Sequence, residues 1–321
     1  MITLDMLYSW EMERKRRIAA GGGSTPLTLT ALTAGSKVTL NKVGSPPPVD
    51  LEYSTGGAWA TYTIGTEITL ASAGDYVQFR GDNSTFSTTL TDYYQFAMTG
   101  TIAASGNTMS LVDSTCKLLT IPCAFCFRSL FQNCTSLTTA PALPATALAT
   151  QCYFAIFYGC TSLTTAPTLP ATTLALQCYY QMFQDCTGLT TAPALPATTL
   201  AVGCYQNMFR SCTGLTTAPA LPATTLAGYC YQNMFHSCTS LTTAPALPAT
   251  TLSTYCYDAM FRDCRKLSSI EVSFTSWTQT ANPTPGWVIN VASSGTFTKP
   301  AALAVEYGYN RIPTGWTVVN K

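Results

Sequence analysis

Between residues 108 and 274 the apolar positions recur as a block with a period of 26 residues. The segment CTSLTTAPALPATALATQCYFAIFYG, residues 134–159, is the first clean copy; further copies begin at Cys160, Cys186, Cys212 and Cys238. A degenerate copy carrying CFRSLFQN (residues 126–133) precedes them, and a truncated one, CRKLSSIEVSF, starts at Cys264. Self-similarity at a fixed period of this length predicts a solenoid, whose coils bury their apolar faces only against each other.

Each copy divides in two. LTTAPALP places Leu137, Ala140 and Leu143 between prolines, which remove backbone donors, so this half is at most a short strand with an extended continuation. In ATALATQCYFAIF and the cysteine that follows the apolar run, Leu148, Cys152, Ile156, Phe157 and Cys160 are spaced to share one face of a helix, with Thr146 after Pro144 as its N-cap. Comparison of the five clean copies supports an inside and an outside. Leu148, Cys152, Tyr153, Phe157 and Cys160 have conserved counterparts at 26-residue steps, whereas the pairs 150/151, 154/155 and 158/159 change. Invariance fits a packed interior and substitution a solvated stripe.

The pattern F-x-x-C-x-x-L-x-x-apolar-x-apolar-P, seen in MFRSCTGLTTAPALP (residues 208–222) and its copies, resembles the BspA-like leucine-rich repeat family over about half of the chain. The resemblance implies a right-handed α/β solenoid with strands on one side and helical segments on the other. It implies no catalytic residues. Such repeats are typical of surface-exposed binding and adhesion proteins of host-associated bacteria, with similar ones in phages of gut bacteria. The Ala/Thr-rich units here depart from the commoner Ile/Lys-rich ones, so no ligand preference carries over.

Ahead of the repeats, LTLTAL, KVTLNKV, VDLEYS, WATYTI, TEITLA, DYVQFR and YYQFAM alternate apolar with polar residues between Gly, Pro, Asn and Asp. They predict a small antiparallel sandwich of immunoglobulin-like (Ig-like) type over 25–102, without an inter-sheet disulfide because it holds no cysteine. Residues 103–274 are then the leucine-rich repeat solenoid. Residues 275–321, with Trp277, Trp287 and Trp316, read as a C-terminal β cap; the alternative is an aromatic carbohydrate-binding surface. In residues 1–20 acidic residues interrupt the apolar ones and Arg14-Lys15-Arg16-Arg17 come last, the reverse of a secretory signal's order. Leu4, Leu7 and Trp10 with Arg14, Arg16 and Arg17 suit an amphipathic docking helix, and Gly21-Gly22-Gly23-Ser24 a flexible link within a segment spanning 1–24.

Charge and cysteine content narrow the chemistry. Charged residues make up 10% of the chain and the net charge is +1, which gives no electrostatic pull toward nucleic acid or an anionic membrane, and no apolar run is long enough for insertion. Twelve of the fourteen cysteines form two files, 126/152/178/204/230/256 and 134/160/186/212/238/264. Two cysteines eight apart on a helix lie ~12 Å from each other, too far for a disulfide. Adjacent rungs of one file, nearer ~5 Å, have the geometry to pair, but an inward cysteine is also an ordinary small apolar filler, and the files are read as reduced and buried. Cys123 and Cys126 form a CxxC pair with no second pair or histidine to complete a metal site; no metal and no cofactor are expected. His236 sits in a variable slot beside Tyr, Gln and Arg counterparts, which argues against an enzyme.

These readings converge on a non-enzymatic binding and display protein. Two stripes are candidate ligand contacts: Tyr158, Gln184, Arg210, His236 and Arg262, with the 154/155 and 150/151 equivalents, on the variable stripe, and Thr139, Thr165, Thr191, Thr217 and Thr243 on the strand side. The expected setting is a tailed-phage virion, as a fibre or decoration protein made in the host cytoplasm and docked to a virion structural protein through residues 1–20. Its expected role is host recognition, through a host-surface or mucus carbohydrate or protein bound by the solenoid. A fibre would be a homo-oligomer, although no heptad run directs a trimer. The alternatives are a BspA-like adhesin of a bacterial cell surface and a capsid or tail stabiliser without a ligand.

Overall fold

A computed structural model describes residues 25–278 and 282–321; the expected docking segment, 1–24, lies outside the described residues. Strands form over all seven alternating runs: β1 Leu27–Ala31, β2 Ser36–Val43, β3 Glu52–Ser54, β4 Ala60–Thr61, β5 Ile68–Leu70, β6 Tyr76–Arg80 and β7 Tyr93–Thr99. With β8 Ile102–Ser105 and β9 Leu137–Thr139 they make two sheets, ordered β4-β3-β6-β1-β8-β9 and β5-β2-β7. Alternate residues Leu27, Leu29, Ala31, Val38, Leu40, Val77 and Phe79 are buried between them, as a period of two requires. The β8–β9 pairing is parallel and carries the larger sheet into the first repeat.

The expected α/β leucine-rich-repeat solenoid is not what the chain forms. Among the described residues there is no α-helix, only a 3-10 turn at Thr108–Leu111, and the fold is nearly all β and turn, with three small sheets. The segments read as helices are ribbons of alternating β-turns. In residues 149–160 the N–H groups of Cys152, Phe154, Ile156, Tyr158 and Cys160 donate to the carbonyl three residues back. The N–H groups of Gln151, Tyr153, Ala155, Phe157 and Gly159 donate instead to Leu176, Cys178, Tyr180, Met182 and Gln184 of the next copy. From Gln151 to Cys160 every second donor thus closes a turn and every other one bonds to the neighbouring repeat, so each backbone donor of that run is paired.

The true period of the ribbon is four residues. Every fourth residue has positive φ: Gln151, Ala155 and Gly159 at +53°, +52° and +69°, then Gln177, Gln181 and Asp185, and so on through Asp263. Positive φ at the third position marks a type II or I′ turn, which suits Gly, Asn and Asp. Gly159, Gly203, Asn207, Asn233 and Asp263 occupy these slots. An i, i+4 apolar pattern is common to an α-helix and to this ribbon, which is why the helix reading fails. The strand half is also shorter than expected. After β9 the copies meet through single parallel bridges such as Thr139 to Thr165, Thr165 to Thr191 and Thr191 to Thr217.

Corners alternate in and out. The inward pairs, Cys152-Tyr153 and Ile156-Phe157 with their counterparts, are buried. Two ring files run through the stack: Tyr153, Tyr179, Tyr205, Tyr231 and Tyr257 with neighbouring centroids 5.9–6.0 Å apart, and Phe157, Phe183, Phe209, Phe235 and Phe261 at 5.6–5.9 Å. The sandwich supplies the first rung, because Phe96 on β7 stacks on Phe131 at 5.3 Å. It also supplies the first acceptor. The Cys134 thiol donates to Phe96 O at 3.1 Å, just as Cys160, Cys186, Cys212, Cys238 and Cys264 donate to the phenylalanine carbonyl 29 residues back at 2.9–3.0 Å. This file of cysteines therefore fills a small apolar site and satisfies an inward carbonyl.

At the other end Asn282 to Ile289 continues the ribbon, accepting bonds from the N–H groups of Tyr255, Tyr257, Ala259, Phe261 and Asp263. Trp287, fully buried, sits against Tyr257 and Phe261. A parallel sheet of β10 Ser269–Glu271, β11 Thr296–Lys299 and β12 Thr317–Asn320 completes the chain. The three tryptophans of this region do not form a carbohydrate platform. Trp277, Trp287 and Trp316 are all buried, and their indole N–H groups donate to Ala304, Arg311 and Ala292 carbonyls at 2.8–3.0 Å.

Candidate binding face

The outward corners carry the variable pairs in parallel files, one member per repeat. The file containing residues 158, 184, 210, 236 and 262 holds the first group of sequence-predicted contacts. Tyr158, Arg210 and His236 are half-buried, Gln184 is buried and Arg262 is exposed. Beside it runs Gly159, Asp185, Ser211, Ser237 and Asp263, and the two files interact between repeats. Tyr158 hydrogen-bonds to Asp185, which raises its hydroxyl pKa. His236 Nε2 lies 3.2 Å from Asp263 Oδ2, Arg262 Nε 3.6 Å from the same oxygen, and Asn290 donates to Asp263 Oδ1 at 2.7 Å.

Electrostatics here follow from those contacts. The Asn290 hydrogen bond is the largest influence on Asp263; with His236 and Arg262 it outweighs partial burial and holds the carboxyl below the usual range. His236 shifts down, first through burial and then through the Arg210 and Arg262 charges, which together exceed the attraction of Asp263. Its Nδ1 is buried without a hydrogen-bond partner. At neutral pH the imidazole is thus a neutral spacer between two guanidinium groups.

The threonine file divides. Thr139 is half-buried and its hydroxyl donates to Ala104 O at 2.9 Å, so it is spent on the sandwich junction. Thr165, Thr191, Thr217 and Thr243 are exposed, and so are the preceding Thr164, Thr190, Thr216 and Thr242. On a continuous strand only one of each pair would face outward; because the backbone here bridges at single residues, both do. The anchoring residues Leu4, Leu7, Trp10, Arg14, Arg16 and Arg17 lie outside the described residues.

The variable file through residue 154 extends back to Arg128 and onto the sandwich. Arg128 lies with its guanidinium carbon 4.9 Å from the Tyr93 ring of β7 and 4.6 Å from the Phe154 ring, and Phe154 stacks on Tyr180 at 4.7 Å. The same file continues through Gln206 and Gln232, whose amides bond to each other, to Asp258, which accepts from Gln232 at 2.5 Å. Cation–π, ring-stacking and amide contacts thus run along one edge, from the sandwich to the far repeats. The available signal was the substitution series Arg, Phe, Tyr, Gln, Gln, Asp at 26-residue steps; the sandwich partner Tyr93 had none.

All fourteen cysteines are free thiols. Burial pushes Cys134, Cys178, Cys256 and Cys264 up to about 12, and the remaining members of both files are also raised. Among the described residues no helix is long and apolar enough to cross a membrane. No family model, curated protein or solved structure matches the chain.

Proposed function

We propose that this chain is a non-enzymatic binding and display protein whose ligand face is the set of outward turn corners. The observation that carries this reading is a contrast within each ribbon. From copy to copy the inward corners keep Cys-Tyr and Ile/Met-Phe, while the adjoining outward corners exchange aromatic, amide, cationic and acidic side chains. A backbone held by inter-repeat hydrogen bonds and ring files can present new side chains without repacking its core. The ligand class is a carbohydrate or protein on a host surface or in mucus. The proposed setting is a virion surface, argued from the sequence of residues 1–24 and from buried thiols that suit assembly in a reducing cytoplasm. A bacterial cell-surface adhesin is the alternative setting.

A second reading, a structural spacer without a ligand, is favoured by the pairing of corner groups with each other, as in Gln206–Gln232–Asp258 and His236–Asp263–Asn290. Binding of the purified chain to arrayed glycans and mucins separates the two. An Arg210→Ala/Arg262→Ala variant should keep its melting temperature and lose binding at least tenfold. Unchanged binding removes the corner face from the reading, and no binding by the native chain leaves the spacer. Antibody labelling of source particles tests the setting: label on virions supports it, and label confined to bacterial envelopes overturns it.

A further inference from the structure

Cys123 breaks the repeat. Four of the five clean copies carry Ala149, Ala175, Ala201 and Ala227 at the equivalent position and the fifth carries Ser253, so the Cys123 thiol has no part in either cysteine file. It is also the one cysteine of the fourteen that is not buried.

Its partner is fixed by the turn. In later copies this position and the residue three further on are the ends of an outward β-turn: Cys152 N–H donates to Ala149 O at 3.3 Å, Cys178 to Ala175 at 3.2 Å and Cys204 to Ala201 at 3.2 Å. In the first copy the ends are Cys123 and Cys126, with Phe125 at the left-handed third position (φ +58°). The ends of a β-turn have Cα atoms within about 7 Å of each other, the separation that a disulfide spans. The Cys123 thiol donates to Ser87 O at 3.7 Å, and the Cys126 side chain is the largest influence on its ionisation.

The two thiols are chemically unequal. The Cys126 hydrogen bond, opposed by partial burial and assisted by the backbone at Phe86 and Ser87, brings Cys123 down to about 7. Burial drives Cys126 in the opposite direction. A half-exposed sulfur that ionises near neutrality beside a buried thiol is the division of labour between an attacking and a resolving cysteine.

We propose that Cys123 and Cys126 form a redox-reactive dithiol, converted to an internal disulfide by low-molecular-weight disulfides of the glutathione class, while the other members of the buried files stay reduced. The Cys123 thiolate attacks one sulfur of the oxidant, forming a mixed disulfide and releasing one thiolate. Cys126 then gives up its proton to solvent and attacks the Cys123 sulfur, expelling the second thiolate. The dithiol is oxidised by two electrons and one disulfide becomes two thiols. The product closes the turn that faces the Phe86–Ser87 loop, where the sandwich meets the repeats. This inference is independent of the ligand reading above.

The test uses the full native chain. After exposure to oxidised glutathione and an acid quench, free thiols are alkylated and the chain is cut with trypsin. Cleavage after Lys117 and Arg128 releases residues 118–128, which hold these two cysteines and no other. The expected result is loss of two hydrogens from this peptide, with the buried-file peptides fully alkylated only after unfolding. Native alkylation of Cys123 should be half-maximal near pH 7. Cys123→Ala, which restores the residue of four of the later copies, should fold and leave no oxidised peptide. A dithiol that survives the oxidant, a glutathione adduct that persists on Cys123, or equal reaction of the file cysteines other than Cys126 overturns the proposal.

Discussion

Replacing Gln181 by glycine asks whether the second half of each repeat is a helix or a turn ribbon, because the two answers differ in sign. Gln181 has φ +55°, and its N–H donates to Gln206 O at 3.0 Å, a bond that glycine keeps. Left-handed geometry costs a residue with a Cβ about 1–2 kcal/mol, which glycine recovers. The larger freedom of glycine in the unfolded chain returns about 0.4–1 kcal/mol of that gain. The net expectation is a stabilisation of roughly 0.5–1 kcal/mol, from the difference of those two quantities. In a helix the same change would destabilise by about 1 kcal/mol. Gln181→Val should fall on the other side of wild type, since a β-branched residue at positive φ is strained further. Equilibrium urea unfolding of the three proteins, with hydrogen exchange at the Gln181 amide as a local readout, decides it. A Gln181→Gly variant less stable than wild type, with Gln181→Val unchanged, would refute the turn assignment.

Three further expectations follow from the same geometry. Phe209→Ala removes a fully buried ring stacked at 5.7 and 5.8 Å on Phe183 and Phe235, and should cost about 3–5 kcal/mol in urea unfolding. Gly159→Ala puts a Cβ at φ +69° against the end of the Asn133 side chain, which can swing aside, so it should cost about 1–2 kcal/mol, more than an alanine substitution at exposed Thr172. Acid should weaken the fold in two windows. His236 and Asp263 both have folded pKa values below their ordinary ones, so each contributes stability above its unfolded pKa that is lost as pH falls through the folded one. The loss should start below about pH 6.5 for His236 and below about pH 4 for Asp263. His236→Gln should flatten the first window and Asp263→Asn the second in melting temperature against pH.

Much of the architecture was legible before any coordinates. The repeat length, the seven strand runs before it and the sorting of 152/153 from 150/151 all follow from the spacing of apolar residues, because burial is what a hydrophobic period reports. Of the candidate contacts, Tyr158, Gln184, Arg210, His236 and Arg262 were recognisable as one file, since a fixed period keeps its members on one side of any regular ribbon. Their mutual pairing was not legible, because Asp263 and Asn290 belong to neighbouring turns that the one-dimensional pattern does not place. Thr139 looked identical to Thr165 in sequence, and only contact with Ala104 of the sandwich distinguishes it.

The helix was the error with a clear physical cause. Apolar residues at 148, 152, 156 and 160 lie four apart, and in a 3.6-residue helix such a file drifts by about 40° per step. In a four-residue turn ribbon it does not drift at all. The left-handed slots carried a further signal in Gly159, Gly203 and Asn207, residues that disfavour a helix interior and suit positive φ. Local sequence was therefore enough to say which side chains are inside and how often the unit recurs. It could not say how the backbone donors are satisfied. That depends on a neighbouring copy 25 residues away, since half of the ribbon's N–H groups bond only to the next repeat, and a lone copy has no partner for them.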